Sequence, residues 1–293
     1  MLKTRWLMGL SAAVGIGVLS VIGMNGEPAA RGAAATKPAV VAPAGYKLVW
    51  ADEFDVDGLP DPKKWGYEEG YVRNGESQFY TTARKENARV ENGVLILECR
   101  KDSYKIPKDA PNADGKTVAT YTSASIHTLG KASWQYGRME VRAKLPHGQG
   151  VWPAIWMMGD NIPKVGWPAC GELDIMEFVG HTPDKIHGTL HWRIAGEHKS
   201  AGASTKADKP WEDIHVYAAE WSPEKVDLYY DQTKYNTVDL KKTDDSGDNS
   251  FHKPFYMILN FALGGNWGGK VDDAVLPARF EVDYVRVFQK IEK

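Results

Sequence analysis

Tyr136-Gly137-Arg138-Met139-Glu140-Val141-Arg142-Ala143-Lys144-Leu145 alternates apolar and charged side chains with a period of two. That is the pattern of a half-buried β-strand, with Met139, Val141, Ala143 and Leu145 facing a core. Arg138, Glu140, Arg142 and Lys144 then face outward. Working outward along the chain, further strands are expected at 94–97, 151–158, 172–178, 225–231, 255–263 and 280–288. Turn pairs punctuate the chain at Asn74-Gly75, Asn92-Gly93, His147-Gly148, Ser246-Gly247, Gly264-Gly265 and Gly268-Gly269. No stretch of fifteen residues keeps a helical period. Many strands and turns without a βαβ rhythm predict an all-β fold, a β-sandwich or jelly roll.

The 293 residues fit one such domain, with enough chain to build a core without disulfides. A net charge of −2 and no long basic run argue against a nucleic-acid partner. The 11 tryptophans stand out. A buried indole N–H needs a partner, so a surplus points to exposed stacking surfaces, of which sugar rings are common occupants. Ordinary packing in a large β-core is the competing reading. Cys99 and Cys170 are read as buried free thiols in preference to a pair, and neither has zinc-site spacing.

Lys3 and Arg5 precede an apolar run from Trp6 to Met24, the pattern of an export signal. Residues 1–24 are read as a cleaved signal peptide of a secreted protein. An uncleaved membrane anchor is the alternative, because the run approaches the ~20 residues of a span. Residues 25–44, rich in Ala, Pro and Gly, read as a disordered linker. Residues 45–293 read as a single, monomeric domain.

The chemistry concentrates in Gly171-Glu172-Leu173-Asp174-Ile175-Met176-Glu177-Phe178. On a regular strand Glu172 and Asp174 share one face, but Glu177 turns into the core. A lone buried carboxylate there costs several kcal/mol or stays protonated. One extra residue, a β-bulge near Ile175-Met176, returns Glu177 to the acidic face and leaves Met176 with the core. Three acids on one face repel and raise one another's pKa, which glycoside hydrolysis exploits. Glu172 is assigned as nucleophile, Glu177 as general acid and then base, and Asp174 as the modulator between them. A retaining reaction needs the two carboxyls about 5–5.5 Å apart, an inverting one about 6.5–9.5 Å. Four strand positions span roughly 13 Å, so the strand must be concave for the first. Spacing leaves both open, along with a solvated acidic face or a calcium site.

The segment from Trp167 to Gly180 closely resembles the active-site strand of glycoside hydrolase family 16, and within it the bacterial laminarinases, endo-β-1,3-glucanases. The likeness runs from about Leu48 to Gln289, through Trp50-Ala-Asp-Glu-Phe54, Asn74-Gly-Glu-Ser-Gln-Phe-Tyr-Thr81, Tyr121-Thr-Ser-Ala-Ser-Ile126, Gly150-Val-Trp-Pro-Ala-Ile-Trp156, Leu259-Asn260 to Trp267 and Val282-Asp-Tyr-Val-Arg-Val287. The resemblance implies a jelly roll of two curved antiparallel sheets with an open concave cleft. It implies retention, no catalytic cofactor, and hydrolysis of internal β-1,3 bonds in glucans such as laminarin, with mixed 1,3-1,4 glucan also accepted. Alternatives on the same fold are a galactan such as agarose or carrageenan, a transglycosylase, or a non-catalytic glucan-binding module.

Other positions follow from the resemblance. Trp152, Trp156 and Trp167 look like its sugar-platform tryptophans. Asn74 and Arg84 resemble residues that hydrogen-bond a glucosyl unit, and His191 is expected in the cleft near Glu177. Glu53, the Gly93 carbonyl and Asp283 match a structural calcium site on the convex side. The chain departs from the pattern at Asn266-Trp267-Gly268-Gly269, where many laminarinases carry proline, and at Phe79, where tyrosine is common. The stretch 101–117 reads as a polar loop with no assigned place.

Overall fold

The computed structural model describes residues 37–291. The expected signal segment and residues 25–36 of the expected linker lie outside them. Residues 37–44 carry no helix or strand. Arg286 donates to the Pro38 carbonyl at 2.9 Å.

Two large sheets pack face to face. The seven-stranded sheet runs in the order Glu197–Lys206, Lys185–Ile194, Glu172–Glu177, Val151–Gly159, Phe255–Leu263, Ser125–His127 and Gly66–Tyr67. The ten-stranded sheet runs from Thr233–Asp239 through Lys225–Tyr230, His215–Trp221, Gly137–Lys144, Ala278–Lys290, Val94–Lys105 and Val118–Ser123 to Phe79–Tyr80. Tyr46–Asp52 also pairs with Ala278–Lys290, and Ala88–Glu91 with Val94–Lys105. Within both sheets, among the described residues, only Phe79–Tyr80 pairs in parallel, with Thr122 and Ser123.

Alternation explains which side chains meet. Met139, Val141, Ala143 and Leu145 join the core between the sheets, as their spacing predicts. Arg138 on the opposite face pairs with Glu140 and Glu220. Phe255–Leu263 is buried throughout because both of its faces are covered. Phe255, Met257, Leu259, Phe261 and Leu263 face the core. Tyr256 and Ile258 pack instead with Trp156, Met158 and Cys170 on the opposite face. The functional cavity lies on that second face.

The structure corrects several boundaries. The strand expected at 94–97 continues to Lys105, so 101–105 is not loop. Its second half alternates between half-buried and exposed positions, which hides the strand among polar residues. Past it, Ile106 is buried with Phe79 and Ala119, with Tyr71 and Tyr104 against them, and so holds the rest of the segment down. Phe79 needs no polar partner there. Glu197–Lys206 carries no large apolar residue and is largely exposed, so composition gives no sign of it. Its long ladder with Lys185–Ile194 supplies the pairing that side chains do not.

Candidate active site

Strand Glu172–Glu177 contains the expected bulge. Asp174 pairs with Trp156 and Met176 with the next residue back, Ile155, so Ile175 is the extra residue. Against its other neighbour, Asp174 faces Thr189 and Glu177 faces His187. Leu173, Ile175 and Met176 are fully buried in the core. Glu172, Asp174 and Glu177 line one cavity of about 420 Å³ on the opposite face. That is within the roughly 300–1,000 Å³ of small-ligand sites.

Gly188 sits opposite the bulge. A Cβ there would meet the Tyr235 hydroxyl at 2.3 Å and Leu228 Cδ1 at 2.6 Å. Glycine thus lets the Tyr235 hydroxyl approach the Ile175 carbonyl, 3.4 Å away, at the interrupted ladder. Gly188→Ala is expected to displace Tyr235 and the bulge together. The overpacking should cost about 1–3 kcal/mol of stability and lower any activity of the site about tenfold or more. Thermal unfolding and kcat/KM measured side by side check both; unchanged values would show that the bulge does not depend on this contact.

The two glutamates meet different indoles. Trp167 donates to Glu172 Oε2 at 2.7 Å, which supports an ionised carboxylate. Trp152 donates to Glu177 Oε1 at 3.1 Å. Burial raises the Glu177 carboxyl well above the usual carboxylate range. The charges of Asp174 and Glu172 push the same way, while Trp152 and His191 oppose. Asp174 is raised too, by burial first and then by the charge of, and hydrogen bond with, Glu172. The arrangement therefore favours protons on Asp174 and Glu177 and provides a hydrogen bond for a charged Glu172.

Trp156 donates to Asn260 Oδ1 at 2.7 Å. Asn260 donates to the Tyr80 hydroxyl, and Tyr80 to Glu76. This chain of bonds fixes the indole on the floor of the cavity. Trp167, half exposed, stands at the rim.

The family model for glycosyl hydrolases family 16 matches residues 75–286. The beta-glucanase of Rhodothermus marinus is 46% identical over 261 residues, which cover 84% of this chain and 86% of that protein. The solved laminarinase of Rhodothermus marinus superposes with a TM-score of 0.75 at 44% identity, covering 84% of this chain and 98% of that one. A non-specific endo-β-1,3(4)-glucanase of the same family, solved with an oligosaccharide at its active site, has a TM-score of 0.76 at 42% identity. That match covers 88% of this chain and 100% of the other. This chain belongs to glycosyl hydrolase family 16.

The sandwich is accordingly the family 16 jelly roll. Trp152, Trp156, Trp167 and Asn74 line its cavity with the three acids. Arg84 does not. Its guanidinium pairs with Asp102 at 2.6 Å, bonds Asn87 and Thr122, and lies over Tyr104. It ties loop to strand away from the cleft. The arginine that lines the cavity is Arg73, ion-paired to Glu68 and 4.9 Å over the Trp156 ring. No motif marks it in the sequence. Asn260 was legible as a polar residue inside an apolar strand, and Glu76 as part of the Asn74–Thr81 motif.

His191 reaches the acids from the neighbouring strand. It sits beside Glu172 and Asp174, with Nε2 3.9 Å from Glu172 Oε1 and 3.3 Å from Asp174 Oδ2. His187 is the residue paired with Glu177. Burial lowers the His187 pKa, which favours a neutral ring.

The two carboxylates of the expected calcium site are engaged by arginines. Both Glu53 oxygens accept from Arg286, at 2.8 and 3.0 Å, and Asp283 accepts from Arg142. Among the described residues, neither Glu53 nor Asp283 joins a group of three potential side-chain metal ligands. Cys99 and Cys170 are free and buried, as expected. Burial pushes their thiols up to about 12 and about 11.

Proposed function

We propose that this protein is a retaining, endo-acting glycoside hydrolase that cleaves internal β-1,3 bonds of laminarin-like glucans and accepts mixed 1,3-1,4 glucan. The observation that carries the reading is the bulge, which turns Glu172, Asp174 and Glu177 into one tryptophan-lined cavity. Glu172 attacks the anomeric carbon while Glu177 gives its proton to the departing glycosidic oxygen. A covalent glycosyl-enzyme forms. Glu177, now ionised, takes a proton from water, whose oxygen displaces Glu172 and returns the sugar with its configuration retained. Trp167 holds the nucleophile, and Trp152 holds the acid. Asp174, between them, shares a hydrogen bond with Glu172, and burial keeps the proton on Glu177 until the leaving group takes it.

The substrate class is supported by the glucanase and laminarinase relatives and by cleft charge. Glu68, Glu76, Glu172, Asp174 and Glu177 line the cavity, and Arg73, the one cation among its lining residues, is paired to Glu68. Such a lining disfavours a sulfated galactan. A non-catalytic module needs none of the three acids that this chain keeps. The test is incubation of the purified protein with laminarin, lichenan, agarose and carrageenan, with products sized over time. Laminarin should give an early spread of oligosaccharides, with slower release from lichenan. Hydrolysis of agarose or carrageenan in preference to laminarin would overturn the substrate reading, and early release of one short product would overturn endo action.

A further inference from the structure

We propose that Glu172, Asp174 and His191 form a reversible site for a divalent transition-metal ion, of which Zn²⁺ is the representative. Ligand atoms of the three lie within 4.8 Å of one another. A tetrahedral zinc ion with bonds of about 2.0–2.2 Å sets its donors roughly 3.3–3.6 Å apart. His191 Nε2 and Asp174 Oδ2 already stand 3.3 Å apart, and Glu172 Oε1 is 3.9 Å from the same nitrogen.

Three further features fit a ligand. Asp174 is only 3% exposed, and its Oδ2, aimed into this group, has no hydrogen-bond partner. Trp167 occupies Glu172 Oε2, which leaves Oε1 turned toward His191. His198 Nε2 lies 2.9 Å from His191 Nδ1, and the two rings stack. When His191 donates Nδ1–H to His198, its Nε2 lone pair faces the two carboxylates. That is how metal-binding histidines are oriented by a neighbour on the other ring nitrogen. Two carboxylate oxygens and one imidazole suit Zn²⁺ better than a hard ion, and the open cleft leaves the fourth position to water.

The ion would take up an oxygen of the nucleophile, Glu172, together with one of Asp174. Inhibition therefore rests on the nucleophile reading above, whereas binding does not. The test titrates the full protein, stripped with EDTA, with ZnCl₂ by calorimetry and follows laminarin hydrolysis in parallel. One ion per chain should bind, hydrolysis should fall with the same midpoint, and EDTA should restore it. His191→Ala and Glu172→Ala should each weaken binding at least tenfold, and His198→Ala about tenfold or more through lost orientation. MgCl₂ should bind far more weakly. Circular dichroism confirms that each variant is folded, and His191→Gln replaces any that is not. Zinc affinity unchanged in both His191 and Glu172 variants would place the ion on other histidines and overturn the site. Absence of binding at millimolar zinc would do the same. Binding that depends on His191 but leaves hydrolysis untouched would sink the nucleophile assignment and leave the metal site standing.

Discussion

Glu172→Ala is expected to lower kcat on laminarin by roughly 10⁴-fold or more, with little change in glucan affinity. The size follows from the covalent step. Without the carboxylate no glycosyl-enzyme forms, and water must attack unaided across a gap shaped for a side chain. Binding survives because the sugar surfaces are built elsewhere. Trp152 is held by Glu177, and Trp156 by Asn260 and Arg73. Trp167 alone loses its acceptor. The measurement is kcat/KM on laminarin beside calorimetric titration with a laminari-oligosaccharide. Residual turnover above about 1% of the parent would mean that another group makes the bond. A parallel collapse of affinity would mean that Glu172 binds substrate and does not attack it. The thermal midpoint should not fall, because the substitution removes one of the charges that raise the Asp174 and Glu177 pKa values.

The acid strand was the most legible part of the molecule because its pattern broke a rule. Period-two spacing sends Glu177 inward, and burying a carboxylate costs too much, so the bulge at Ile175 followed from two physical facts. What the sequence did not carry was the support around that bulge. Gly188 and Tyr235 lie far from it along the chain, and neither shows in its own segment that it meets Ile175. Arg84 and Arg73 show the same limit. Both flank the Asn74–Thr81 loop, and it is Arg73, not the expected Arg84, that lines the cavity. The choice depends on which carboxylate each finds, Asp102 or Glu68, and that is a tertiary contact. His191 was expected near Glu177; the register pairs it with Glu172, while the bulge brings His187 opposite Glu177. Strands with two buried faces, such as Phe255–Leu263, announced themselves. The polar edge strand Glu197–Lys206 did not, because its stability comes from backbone pairing.

Glu177→Ala separates the acid role from every other. Turnover of polymer should fall by about 10²–10⁴-fold, the worth of general acid catalysis. Aryl glycosides with good leaving groups should lose far less, because their departing phenolate needs no proton. Equal losses on both substrates would reject the acid assignment. The pH dependence carries the same information. Glu177 has a raised pKa, so the parent enzyme should keep its acid protonated into neutral pH, and kcat/KM should fall on the alkaline side as that proton leaves. Stability follows the opposite logic from an ion-paired acid. A carboxyl whose folded pKa lies above its ordinary 4.5 binds more protons folded than unfolded. Its contribution is complete below that ordinary value and declines as pH rises from there through the folded value. Glu177→Gln removes the ionisable group while keeping its shape. Its thermal midpoint should therefore exceed the parent's at pH 8 by more than at pH 4. A gap that shrinks as pH rises would show that Glu177 is stabilised as a carboxylate, and a carboxylate so held has no proton to give.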